Sequence, residues 1–175
     1  ATVVPYFERF LAKFPDVSAL AAAPVDRVLE LWSGLGYYRR AHHLHAAAEV
    51  IVRQYDGNFP RDARTIATLP GIGRSTAAAI AAFAFGERAA ILDGNVKRVL
   101  ARHHGIDGFP GAPRVEARLW EIAESLLPER GIGTYTQALM DLGATLCTRT
   151  ASRCGDCPVA TDCVARLDGR VADLP

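Results

Sequence analysis

Leu69-Pro70-Gly71-Ile72-Gly73-Arg74-Ser75-Thr76-Ala77 joins two segments of helical pattern, and its reading decides the fold. Pro70 stops the helix that begins at Ala63, and the two glycines permit a tight turn through backbone angles that other residues resist. A second helix starts at Arg74 and runs to Phe85, so the predicted hairpin spans about 63–85. The first amides of that helix lack partners within it, and the helix dipole adds positive potential there. Such an end, with the Arg74 charge beside it, suits an anion such as a phosphate. A plain helix–turn–helix corner has the same spelling, and Gly131-Ile132-Gly133 after Leu127-Pro128 shows how readily the pattern recurs. From these residues alone both readings stand.

Outward from the hairpin the pattern stays helical. Helices are predicted from Thr2 to Phe14, ending at Pro15, and from Val25 to Trp32, behind a first-turn proline at Pro24. Gly34 and Gly36 punctuate the chain before a long helix, Tyr37 to Tyr55, and the Asp56-Gly57-Asn58 turn precedes the short helix Ala63 to Thr68. Ile91 and Leu92 lead to Asp93, which has the position and chemistry of an N-cap for a helix from Val96 to His104. Ala112 to Leu127 and Thr134 to Thr145 complete the set. No alternation of period two persists anywhere, so the fold class is all-α.

Composition limits the function classes. Half of the residues are hydrophobic and 22% are charged, which fits a packed globular chain and not a disordered one. No apolar run approaches the ~20 residues that span a bilayer, so no membrane partner is expected. The net charge of +1 announces no nucleic-acid partner, and any basic surface must be local. The chain opens on Ala1 without an initiator methionine, and Ala1 to Phe7 already reads as the interior of a helix. Sequence upstream is therefore expected to be missing.

All four cysteines fall within 17 residues, as Cys147-x6-Cys154-x2-Cys157-x5-Cys163. Four thiols confined in this way read as ligands of one inorganic centre. Zinc sites of cysteine usually show two Cys-x2-Cys knuckles, and only one is present. Iron–sulfur clusters take four thiolates at uneven spacings. Two disulfides would suit a small secreted scaffold better than a chain able to bury its own core. The spacing leaves cluster and zinc both open. His42, His43 and His45 suggest a second metal trio, but helical geometry points His42 and His43 in different directions, and they are read as surface or core residues.

The hairpin, an aspartate 22 residues after its first glycine, and the downstream quartet together resemble the helix-hairpin-helix base-excision glycosylases, which include endonuclease III and the MutY-type adenine glycosylases. The resemblance covers essentially the whole chain. Leu31-Trp32-Ser33-Gly34-Leu35-Gly36-Tyr37-Tyr38, Leu92-Asp93-Gly94-Asn95-Val96-Lys97-Arg98-Val99 and Gln137-Ala138-Leu139-Met140-Asp141-Leu142-Gly143-Ala144 favour the adenine branch. It implies a six-helix-barrel-like lobe, residues 1–111, and a second lobe, residues 112–175, in which the quartet holds a [4Fe-4S] cluster. The implied partner is double-stranded DNA carrying adenine opposite 8-oxoguanine or guanine. A monomer acting in a bacterial cytoplasm, at the nucleoid, goes with that reading.

The same resemblance distributes roles. Bifunctional glycosylase/lyases place a nucleophilic lysine where this chain has Ser75, and without an amine no imine can form there. The implied reaction is monofunctional: hydrolysis of the N-glycosidic bond, leaving an abasic site. Asp93 is the expected catalytic carboxylate, since bond breaking builds positive charge on the sugar. Capping a helix is compatible with that role, because a helix N-terminus favours negative charge. Ser75, Asn95 and Gln137 are the expected base-pocket contacts, with Gln137 able to read an adenine edge. Tyr37 is the expected wedge into the vacated base stack, with a half-buried aromatic anchor as its plainer alternative. Gly71, Gly73, Arg74 and Lys97 are the other expected DNA contacts; Lys97 and Arg98 read equally as partners in surface ion pairs. Arg149 and Arg153 could present charge to DNA or form a solvated loop face.

Two departures weaken the match. The family's second acid, a glutamate that protonates the leaving base, lies on a helix preceding the segment that matches Ala1, and no carboxylate of this chain corresponds to it. The chain as given is therefore expected to be impaired in excision. Nothing after Cys163 is long enough to be the family's C-terminal domain for 8-oxoguanine recognition. Two alternatives follow: a non-catalytic DNA-binding module, which the absent acid favours, and an endonuclease III-like lyase, which Ser75 opposes.

Overall fold

Frequent alanine and well-placed caps put more than half of the chain into helices. The computed structural model describes residues 3–175, and among them there is no strand. The helices are α1 (Val4–Lys13), α2 (Val17–Ala21), α3 (Val25–Trp32), α4 (Arg39–Tyr55), α5 (Ala63–Ile66), α6 (Arg74–Phe85), α7 (Gly94–His104), α8 (Pro113–Ser125), α9 (Ile132–Asp141) and α10 (Val164–Leu167). The start assigned to the first helix at Thr2 lies outside the described residues. Two compact units divide between Gly73 and Arg74. This division falls earlier than the 111/112 boundary read from the sequence, because α7 packs with α8, α9 and α10.

In the first unit α4 carries α2 and α3 along its length, and α1 packs on α3. Phe14, Leu20, Val28, Ala41 and Ala48 form the buried centre. Phe10 meets Phe14 and Trp32 edge-on, with ring centroids 5.0 and 6.3 Å apart. The buried His45 bonds the carbonyl of Ala23 through Nε2 at 2.8 Å, which accounts for it as a core residue. Helix α2 escaped the sequence reading because it is only five residues long; Asp16 caps it by accepting the Ala19 amide at 2.7 Å. Asp62 caps α5 likewise through the Thr65 amide, and that hydrogen bond holds its carboxyl below the usual range. The long helix starts at Arg39 and not at Tyr37, because Tyr37 adopts φ 48°, outside the helical region.

The second unit is built around α7. Val96, Leu100 and Ala101 are buried with Leu119 and Ile122 of α8 and Ala78 of α6. Gly105 ends α7 at φ 63°, and a side chain there would strike Val164 of α10. The helix expected from Thr134 to Thr145 is not continuous. It turns from α-helix to a wider π-helical turn at Leu142–Leu146, directly after α9. Within this turn the buried backbone of Gly143 lies so close to Asn95 that an added Cβ would sit 2.9 Å from the Asn95 carbonyl oxygen. The Gly143→Ala variant should therefore lose ~1–3 kcal/mol of stability, read as a lower denaturant midpoint at unchanged slope.

Candidate active site and metal centre

Each unit holds part of the site read from the sequence. In the first, Gly71 has φ 75°, and a Cβ there would lie 2.4 Å from His43 Nδ1. Its glycine is demanded twice, by the left-handed backbone and by the histidine against it. Gly73 differs from the expectation of a special backbone angle: its φ is not positive, and no atom lies within 4 Å of the Cβ it lacks. Tyr37 is 85% exposed and left-handed at φ 48°, so the half-buried anchor reading is excluded. A non-glycine residue in that region costs of order 1 kcal/mol or more.

In the second unit the reading concentrates at the start of α7. Asp93 has extended backbone, and its Oδ1 accepts the Val96 amide at 2.8 Å. Oδ2 has no hydrogen-bond partner among the described residues, which leaves one carboxylate oxygen free to face a developing charge. Ser75, in the first turn of α6, accepts the Leu92 amide through Oγ at 2.9 Å. That bond places the hydroxyl one residue from Asp93 and fixes the chain that delivers the carboxylate. Asn95 completes the group, its Oδ1 accepting from Arg98 Nη2 at 2.8 Å.

Other expected contacts point elsewhere. Arg74 pairs with Glu124 and lies over the Trp120 ring, 3.7 Å from its centroid, so its charge is turned toward α8. Lys97 donates to Glu116 at 2.7 Å, the ion-pair reading of that residue. Gln137 is exposed on α9 and donates to Asp141 one turn on, at 2.8 Å. Arg153 donates to the Thr145 carbonyl at 3.1 Å.

Cys147, Cys154, Cys157 and Cys163 are free thiols, so the disulfide alternative is not taken. All four line one pocket of about 330 Å³, counting the part open to solvent. Yet no three His, Cys, Asp or Glu side chains among the described residues close around a single-ion position. Four thiols lining one pocket suit thiolate ligation, of a zinc ion or of an iron–sulfur cluster. Arg98, read as a phosphate or ion-pair residue, does neither. It donates to the carbonyls of Cys147 at 2.7 Å and Gly143 at 2.6 Å, as well as to Asn95, and so joins the aspartate-bearing helix to the cysteine loop. Arg102, one turn further along, was not singled out by the sequence reading. Its signal was the spacing: an arginine four residues after another, and so on the same helix face.

The two hairpin glycines separate experimentally. Gly71→Ala should cost ~1–3 kcal/mol, whereas Gly73→Ala should change stability by less than ~1 kcal/mol. Urea denaturation of both variants checks this.

Residues 1–125 match the HhH-GPD superfamily of base excision DNA repair proteins. The chain is 41% identical over 174 residues to an adenine DNA glycosylase of Buchnera aphidicola, covering 99% of this chain and 50% of that protein. It is 42% identical over 179 residues to the adenine DNA glycosylase of Rattus norvegicus, covering 100% and 35%. The adenine DNA glycosylase of Mycolicibacterium smegmatis is 43% identical over 158 residues, covering 90% and 53%. The chain thus spans about half, or less, of the length of these relatives. Among solved structures, a thermostable thymine-DNA glycosylase superposes with a TM-score of 0.84 at 29% identity, covering 95% of this chain and 76% of that one. A non-covalent endonuclease III–DNA complex shares the fold, with a TM-score of 0.77 at 22% identity and coverage of 96% and 77%. On this match, which covers well over half of its length, the chain belongs to the HhH-GPD superfamily of base excision DNA repair proteins.

Proposed function

We propose that the chain is the catalytic region of a monofunctional adenine DNA glycosylase acting on adenine opposite 8-oxoguanine or guanine in duplex DNA. The observation that carries this is Asp93: a carboxylate held by one oxygen at the α7 N-terminus, one residue from the Ser75-bonded Leu92. The C1′–N9 bond of the nucleotide breaks, positive charge spreads over C1′ and the ring oxygen, and Asp93 stabilises it. Water adds to C1′ and yields its proton, N9 leaves with a proton, and the products are adenine and an abasic site. No carboxylate described here is assigned to protonate the leaving base. Ser75 has no amine, so no imine forms at that position, and strand cleavage through it is absent.

Supporting residues fit a DNA-bound, flipped nucleotide. Tyr37 presents a rigid exposed ring suited to fill a vacated stack. Gly73 leaves open backbone where a phosphate can approach. Ser75 Oγ, though it accepts from Leu92, keeps its own O–H for a base edge, and Asn95 and Gln137 complete the assigned pocket. Gln137 reaches a base only by leaving Asp141. Gly71, Arg74 and Lys97 act in this reading through the hairpin and through α7, and not as free cations. The four cysteines hold a [4Fe-4S] cluster, which supplies structure to residues 147–163; hydrolysis needs no electron. Action as a monomer at the bacterial nucleoid, in the cytoplasm, belongs to the same proposal. No helix of the described residues is long and apolar enough to cross a membrane.

Asp93→Asn in the intact protein keeps a capping side chain and removes the charge. Excision of adenine opposite 8-oxoguanine should fall at least ~10²–10³-fold while mismatch binding persists; excision near the unaltered rate would reject the assignment. Borohydride trapping on abasic DNA should give no adduct through Ser75. Tyr37→Ala should weaken binding to the mispair without lowering Tm, and a large Tm loss would return Tyr37 to a structural role.

A further inference from the structure

Arg102 is 3% exposed, and a charge taken out of water is costly unless a partner of opposite sign sits beside it. Among the described residues no carboxylate lies within 4.0 Å of its guanidinium. What surrounds it is neutral. Nη1 donates to the Thr148 carbonyl and to Ser152 Oγ, each at 2.7 Å, Nη2 to the Arg149 carbonyl at 3.2 Å, and Nε to the Leu174 carbonyl at 3.3 Å. These acceptors satisfy its N–H groups and leave its charge uncompensated. Among the acceptors of its guanidinium the one able to become an anion is Cys147, whose Sγ is 3.6 Å from Nη1. From the other side, Cys163 Sγ donates to the Arg102 carbonyl at 3.7 Å. One residue thus touches the first and the last cysteine of the quartet, and its side chain lines their pocket.

We propose that Arg102 is the built-in counter-charge of the four-cysteine pocket, balanced only when the cysteines are metal-bound thiolates. The inference rests on the cluster reading above. Metal ligation strips the thiol protons, and four thiolates give the pocket a negative charge. Arg102 offsets it from the protein side, while its bonds to Thr148, Arg149, Ser152 and Leu174 hold the loop and the C-terminal tail in the receiving shape. In the cluster-free chain the same cation is buried among neutral acceptors, with no carboxylate within 4.0 Å among the described residues. Arg102 therefore couples cluster loading to the stability of this unit, and it favours the more negative, reduced state of the centre through charge and an N–H···S bond.

The test compares the intact protein with Arg102→Gln and Arg102→Lys, each with reconstituted cluster and cluster-free. Iron and sulfide content, Tm and one-electron reduction potential are measured. In Arg102→Gln the cluster-loaded Tm should fall while the cluster-free Tm holds or rises, narrowing the gap between them. Its potential should move negative, by about 59 mV for a tenfold loss of preference for the reduced state. Arg102→Lys should recover most of the gap and of the potential. If Arg102→Gln accepts no cluster yet melts like the cluster-free unaltered protein, the proposal stands. Equal Tm losses with and without cluster, an unfolded cluster-free variant, or an unmoved potential would each overturn it, leaving Arg102 a packing residue. An unaltered protein that takes up no iron and sulfide would overturn the cluster reading itself.

Discussion

Arg98 divides its guanidinium among three acceptors: the Asn95 side chain and the carbonyls of Gly143 and Cys147. In the π-helical turn at Leu142–Leu146, Gly143 passes flush against Asn95, and the carbonyls of Gly143 and Cys147 need donors there. Arg98 supplies them. Its bond to Asn95 ties the same cation to the first turn of α7, two residues from Asp93. The start of α7, the turn after α9 and the first cysteine are thereby fixed in one frame. An alanine at 143, or a shorter cation at 98, would loosen all three together.

Much of this was legible in the sequence. Asp93 was readable as a cap because aspartate before a helical pattern satisfies an orphan amide, and the structure shows that bond. The all-α class followed from the lack of period two. The wider turn was not legible, because the neighbour that Gly143 passes against within it, Asn95, lies 48 residues earlier and comes close only by folding. Arg74 and Lys97 illustrate the same limit. Both sit where a cation facing DNA would be expected, yet Glu124 and Glu116, brought close only by folding, capture them. A motif fixes residue type and spacing; the partner of a long cationic side chain depends on the tertiary neighbourhood.

The hairpin glycines show a different division. Gly71 is glycine for reasons internal to the fold, a left-handed backbone against His43, whereas among the described residues nothing lies within 4 Å of a Cβ at 73. Tyr37 carries the reverse signal. A bulky ring in a left-handed conformation, almost wholly in solvent, gains nothing from packing and loses conformational energy. Side chains that cost the fold and touch little of it are where selection for function leaves its mark.

The cysteine loop is anchored at both ends. Cys147 is fixed by bonds from Arg98 and Arg102, and Cys163 lies beside Val164, which presses on the glycine that stops α7. Between those anchors the chain describes an arc whose closure entropy grows only with the logarithm of its length, ~0.6 kcal/mol per doubling. Residues 148–153 are tied down as well, by Arg102 to Thr148, Arg149 and Ser152 and by Arg153 to Thr145. Residues 158–162, between the last two cysteines, have fewer such ties, so length there can drift at small energetic cost, and the arginines and the glycine around the loop are the more faithful sign of what it encloses.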